Sequence, residues 1–177
     1  YSGKIAIPDI TGSSTGWLLV QTIIDAYGED EGAAIMSGLI KNAGPHMESS
    51  GSGPFKKVKA GEVAFAFGLR HQAVAAKLEG LPIDFISPKE GSYYLTESLA
   101  VVDKGKDTNT AETMAIAECI VKMGRPELIK TYPVPLYKGE INNQTAETVH
   151  SKTFSQPLTV DLLQTHQDFS ERCKLKK

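Results

Sequence analysis

The stretch Ile5 to Gly16, Ile-Ala-Ile-Pro-Asp-Ile-Thr-Gly-Ser-Ser-Thr-Gly, holds the residues of this chain best suited to chemistry. A β-branched run enters a turn of glycine and hydroxyl side chains, and an apolar helix opens behind it near Thr15. The first N–H groups of a helix have no partner within it, and that end carries partial positive charge, so a small anion is a natural occupant. Thr11, Ser13, Ser14 and Thr15 add hydroxyls, and Gly16 permits close backbone approach. The plain alternative is that the hydroxyls only cap the helix, as Ser and Thr do whatever lies nearby.

Three further turns carry similar residues. Ser49-Ser50-Gly51-Ser52-Gly53 precedes Pro54, which suits a first helical position. Gly68-Leu69-Arg70-His71-Gln72 offers a guanidinium to pair with an oxyanion, or else is simply the surface start of a helix. Glu90-Gly91-Ser92-Tyr93-Tyr94 is the fourth. In open α/β sheets, ligands sit outside the carboxyl ends of the strands, where such loops gather. Hydroxyl and backbone N–H donors meeting there suit the oxygens of phosphate, phosphonate or carboxylate.

Other chemistries find less support. Tyr93 and Tyr94 as phenolates could hold ferric iron, a hard cation that favours oxygen ligands, but alternation along a strand sends them to opposite faces. His46 with Glu48 is too sparse for a metal centre, and neither metal nor cofactor is expected. The chain has no Gly-x-Ser-x-Gly elbow, Walker loop or His-Glu-x-x-His helix. Nothing in the sequence brings Ser14 to His71 as a dyad, so no catalytic residue is assigned and the expected role is non-enzymatic.

The elements that must position these turns follow from periodicity. Lys4 to Pro8 reads as a strand. Thr15 to Tyr27 sets Trp17, Val20, Ile24 and Tyr27 on one helical face, with Leu19 and Ile23 beside it, and Gly28 stops that helix. A second helix spans Glu29 to Asn42, and a third runs from Pro54 to about Ala60. Val63 to Phe67 is a continuous apolar run too short for an ordinary helix, the pattern of a central parallel strand. Leu69 to Glu79 returns as a helix, and Ile83 to Ser87 and Tyr93 to Asp103 read as strands. Asn109 to Met123 is helical through Met114, Ala117, Ile120 and Val121, closed by Gly124 and Pro126. From Tyr132 the texture becomes polar and extended, especially from Gly139 to Ser155, before a last helix from Pro157 to about Cys173. The expected fold is α/β, a mostly parallel central sheet with helices on both faces.

Composition narrows the classes. The 177 residues are 41% hydrophobic and 23% charged, ordinary for a globular domain, and the run of about 20 apolar residues that a membrane span requires is missing. A formal charge of −2 gives no global field to attract nucleic acid, so any anion must be held locally. Cys119 and Cys173 lack metal-type spacing, and Cys119 reads as a small core residue. Lys174 to Lys177 reads as a solvated basic end. The first strand begins almost at Tyr1, so the chain reads as a piece of a longer polypeptide.

As an ordered set, Gly3-Lys-Ile-Ala-Ile-Pro-Asp9, Gly12-Ser-Ser-Thr-Gly16, Ser50-Gly-Ser52, Val58-Lys-Ala-Gly-Glu-Val-Ala64, Ser87-Pro-Lys-Glu-Gly-Ser92 and Glu97-Ser-Leu-Ala-Val-Val102 resembles the second lobe of extracellular solute-binding proteins of ABC importers. The nearest branch holds ferric-iron, thiamine, phosphonate and organophosphate binders, and the resemblance covers Tyr1 to about Lys130. It implies a ligand-binding lobe over residues 1–131 and a return crossover with a C-terminal helix over 132–177. The implied first lobe is absent from this chain, and the final helix would pack on it. The implied partners are a small anionic ligand, the missing lobe and the membrane permease, with no nucleic acid. The implied location is extracellular or periplasmic, the full-length form being anchored or secreted. By resemblance, Ser13 to Gly16, Ser50 to Ser52 and Glu90 to Tyr94 contact ligand. The ferric branch carries adjacent tyrosines where Arg70, His71 and Gln72 stand here, which favours a phosphonate or phosphate ester over iron. The ligand-sensing domain of a transcriptional regulator shares this architecture and is the alternative.

Overall fold

A computed structural model describes residues 1–93, 98–107, 110–131, 136–140, 151–154 and 157–175. It divides into two compact units, one of Tyr1–Tyr93 with Lys152–Lys177 and one of Tyr94–Ser151.

The first unit is α/β. Strand β1 (Ile5–Pro8) leads into α1 (Ser14–Ala43), and Ile7, Val20 and Met36 are among the most completely buried side chains of the chain. Gly28 interrupts α1 with φ 73° and ψ 179°, a conformation glycine adopts without Cβ strain. The expected pair of helices is therefore present as two arms broken at that glycine. The arms fold back on each other, since a Cβ added at Gly32 would lie 3.2 Å from Ile23 Cγ2.

Strand β2 (Met47–Glu48), helix α2 (Gly53–Lys59), strand β3 (Phe65–Ala66) and helix α3 (Arg70–Leu78) follow. The three strands form a parallel sheet in the order β2-β1-β3, with Ile7 opposite Met47 and Ile5 opposite Phe65. The centre is β1. Residues 63–67, expected as the central strand, contribute an edge instead, with Val63 buried and Phe65 43% exposed. The more completely buried β1 takes the central place because helices and strands cover it on every side.

Residues 83–87, also expected as a strand, run irregularly. Local bonds use the donors a ladder would need: Ile83 N donates to Leu81 O at 2.8 Å and Phe85 N to Asp84 Oδ1 at 2.9 Å. Of the expected strand 93–103, Tyr93 lies in β4 (Ser92–Tyr93) and residues 98–103 are irregular, while 94–97 lie outside the described residues. Strand β4 pairs with β5 (Ser151–Lys152).

In the second unit, α4 (Thr110–Thr131) continues through Gly124 and Pro126, where the sequence predicts its end. A proline forfeits its own intrahelical bond, but here the neighbouring Arg125 is clamped to Glu140 by two bonds of 2.7 Å. Ala117 is buried as expected, whereas Met114 and Ile120 are about half exposed and Cys119 is exposed rather than core. Most of the polar stretch 139–155 lies outside the described residues.

The last helix, α5 (Val160–Leu175), returns to the first unit. Its Phe169 and Cys173 join the core formed with Trp17, Leu19, Ile23, Met36 and Ile40 of α1, and Ser37 Oγ donates to the Cys173 carbonyl at 3.3 Å. Phe169 and Cys173 are thus spent on α1, while Val160, Leu163 and Leu175 of the same helix stay exposed. Among the described residues, no helix is long and apolar enough to cross a membrane.

Candidate functional site

All three strands of the parallel sheet run the same way, so the turns after β1, β2 and β3 leave its carboxyl edge together. Two of them pack directly. A Cβ added at Gly51 would lie 2.8 Å from Ser13 Oγ, 3.0 Å from Thr15 Cβ and closer still to Thr15 Oγ1. One added at Gly12 would collide with the Ser49 carbonyl, and one at Gly16 would meet the Asp9 backbone at 2.5 Å. These glycines are what let the two serine-bearing turns interlock. The third turn stands at the same edge, where Gly68 faces Gln72 Oε1 and Phe55 Cβ at ordinary contact distance.

The donors divide unequally. Ser13 Oγ accepts from Thr15 N at 3.0 Å and Gly16 N at 3.4 Å, and Trp17 N donates to Ser13 O. Ser13 is thus a true helix cap, as the plain alternative required, and the Thr15 and Gly16 amides serve it. A hydroxyl that accepts still has its own O–H to give. Ser14, exposed, brings the first helical N–H and a hydroxyl, and Thr11 is likewise exposed. Ser52 occupies the cap position of α2 without a side-chain cap bond, so its hydroxyl is not committed to the helix. Ser50 is exposed beside it. Thr15 is buried, and its part is to pack against Gly51.

Charge at this edge is balanced by a residue read as solvated tail. Lys174 Nζ lies 3.0 and 3.1 Å from the Asp9 carboxylate and 2.7 Å from Glu171 Oε1. Asp9 Oδ1 also accepts from Thr11 N at 3.1 Å. Partial burial acts to raise the Asp9 carboxyl, but the Thr11 N–H and the Lys174 ammonium outweigh it and hold the group below its ordinary value. Lys174 is likewise pulled down by burial and carried above its ordinary value by Glu171 and Asp9. Glu48, at the end of β2, is offset by Lys57 at 3.5 Å.

The remaining predicted residues stand apart or are otherwise engaged. Arg70 stacks its guanidinium 4.6 Å from the centre of the Phe85 ring, and His71 follows it, half-buried, in the first turn of α3. The fourth turn does not join the others. Tyr27 Oη donates to Glu90 Oε1 at 3.0 Å, and Tyr93 Oη donates to Asp25 Oδ2. Asp25 and Tyr27 lie ten and twelve residues beyond Thr15, which puts Glu90 and Tyr93 about 15–18 Å along the helix from the first turn. Ser92 lies with Tyr93 in β4. Without a strand at 83–87, nothing returns this turn to the carboxyl edge. Desolvation, with the hydrogen bond to Asp25, pushes the Tyr93 hydroxyl up to about 12, the opposite of what a phenolate ligand to iron needs. Tyr94 lies outside the described residues.

Sequence reasoning missed a polar seam between α1 and α5. Trp17, Gln21 and Asp25 recur every four residues on α1, and His166, Ser170 and Lys174 do so on α5. Trp17 and His166 rings stand 5.8 Å apart, and Gln21 Nε2 donates to Asp25 Oδ1 at 3.3 Å. Burial lowers the His166 imidazole below its ordinary value, against the pull of Glu29 and Asp25. The signal was present as polar residues at helical spacing within an apolar stripe.

No protein-family model matches the chain, and no solved structure matches it. A protein of Haemophilus influenzae (strain Rd), described only as an uncharacterized protein, is 23% identical over 110 residues. The match takes in 62% of this chain and 32% of that protein, so the chain corresponds to about a third of the relative's length.

Proposed function

We propose that this chain is one lobe of a two-lobed solute-binding protein of an ABC importer. The lobe takes a small anion, a phosphonate or phosphate ester, at the carboxyl edge of its sheet and passes it to a membrane permease after closure on the missing lobe. The observation that carries the reading is the interlock of the Ser13–Gly16 and Ser49–Ser52 turns through Gly12 and Gly51. It sets the Ser13 hydroxyl and the turn that carries Ser50 and Ser52 beside the start of a long helix, and hydroxyl and helix N-terminal donors are the kind an oxyanion requires. Lys174, which also meets Glu171, partly offsets the Asp9 carboxylate that would repel such a ligand. The protein on this reading is a binding component without catalytic residues, working outside the cytoplasm.

The test is a titration of the chain with methylphosphonate, followed through backbone amide resonances. The expected result is saturable shifts confined to residues 11–16 and 49–53, with Ser14→Ala and Ser52→Ala each weakening binding by about 1–3 kcal/mol, the usual cost of an unpaired polar partner. Equal affinity in wild type and both variants, or shifts centred elsewhere, would refute the site.

A further inference from the structure

Four polar atoms in the first unit are buried without a hydrogen-bond partner on the face that α1 turns to α5: Trp17 Nε1, Gln21 Oε1, His166 Nδ1 and Ser170 Oγ. Their residues are 7%, 8%, 3% and 1% exposed. Orphaned buried polar groups are rare in folded proteins, because each forfeits its bonds to water on burial.

Their placement is orderly. Lys174 meets Asp9 and His166 meets Trp17, so eight residues forward on α5 match eight residues back along the chain that enters α1, and the two helices run antiparallel. Ser170 therefore lies one turn from the Trp17–His166 pair on the side of the interlocked turns. Gln21 lies one turn away on the other side, where it continues into Asp25 and Tyr93. The indole is a donor only, and a neutral imidazole offers one acceptor nitrogen. Their rings are direct neighbours, with centres 5.8 Å apart and planes inclined by 31°.

We propose that the α1–α5 seam is an internal water-binding site in which one water accepts from Trp17 Nε1 and donates to His166 Nδ1, with further water serving Ser170 Oγ and Gln21 Oε1. The ligand class follows from the donors: a single oxygen able both to accept and to donate, bound between packed helices. Such water is part of the structure, commonly making about three bonds to groups that would otherwise be unsatisfied. The seam holds α5 on α1 by shared solvent as well as by Phe169 and Cys173.

Two measurements on the 177-residue chain test this. In a high-resolution crystal structure, an ordered oxygen is expected about 2.7–3.2 Å from both Trp17 Nε1 and His166 Nδ1. Ordered side chains without that oxygen, or bonded directly to protein atoms, would overturn the proposal. In urea unfolding followed by Trp17 fluorescence, Ser170→Ala is expected to lower the midpoint, because it strips a partner from bound water. A dry seam gives the reverse, since removing an unpaired buried hydroxyl raises the midpoint, and an unchanged midpoint counts equally against the site.

Discussion

Replacing Gly51 by alanine tests the interlock on which the candidate site depends. The added Cβ would lie 3.0 Å from Thr15 Cβ, an atom no rotamer change can move, and still closer to Thr15 Oγ1. Thr15 is 5% exposed in the first turn of α1, so neither side can yield without shifting a turn or the helix. Overpacking of this kind costs about 1–3 kcal/mol, and the stiffer unfolded chain returns about 0.4–1 kcal/mol. The net expectation is a loss of about 1–2 kcal/mol. Gly38→Ala supplies the control, because a Cβ there meets nothing within 4 Å in the second arm of α1. It should stabilise by about 0.5–1 kcal/mol. Trp17, the single tryptophan and buried in the first unit, reports both in urea titrations. With a slope of about 1–3 kcal/mol per molar, the two midpoints should move in opposite directions by several tenths of a molar. A Gly51→Ala midpoint equal to or above wild type would show that the turns are not packed together and would refute a shared anion site.

Lys174→Met should weaken methylphosphonate binding and let the Asp9 carboxyl rise toward its ordinary value, followed by its side-chain carbon resonance across pH 2–6; an unmoved Asp9 titration would deny the pairing. The pair is about a quarter exposed, so its loss should cost no more than about 0.5–1 kcal/mol. Because Asp9 is depressed in the fold, that stability is present above the ordinary carboxyl value and disappears as pH falls through the folded one. His166 makes a separate pH dependence. Its folded value lies below the ordinary value of about 6.5, so the unfolded state binds the proton first and stability falls as pH drops below about 6.5, levelling off once pH passes the folded value. Urea midpoints between pH 5 and 7.5 should show this slope, and His166→Phe should flatten it; a slope that survives the substitution belongs to another group.

What the sequence determined by itself was local. The β-branched run, the capping serine, the helix-breaking Gly28 and the Ser-Gly turns act through neighbours within a few residues, and β1, both arms of α1, α2 and α3 all stand close to where periodicity puts them. Ser13 caps α1 by a bond to residues two and three places on, which any reading of spacing can foresee. What only the tertiary structure decided depends on groups far apart in the chain. Residues 63–67 became an edge because a strand's place in a sheet is set by which neighbours bury it. Residues 83–87 lost strand character to local bonds, and the fourth turn was thereby left beside Asp25 and Tyr27. Cys119 faces outward although it sits in a helical apolar pattern, since a pattern fixes a face and not what covers it. Lys174 reaches Asp9 across 165 residues, and Trp17 meets His166, only because α5 returns antiparallel to α1. The interlock of Gly51 with Ser13 and Thr15 belongs to both levels: local sequence makes each turn small and polar, and the parallel sheet order brings the two to one edge.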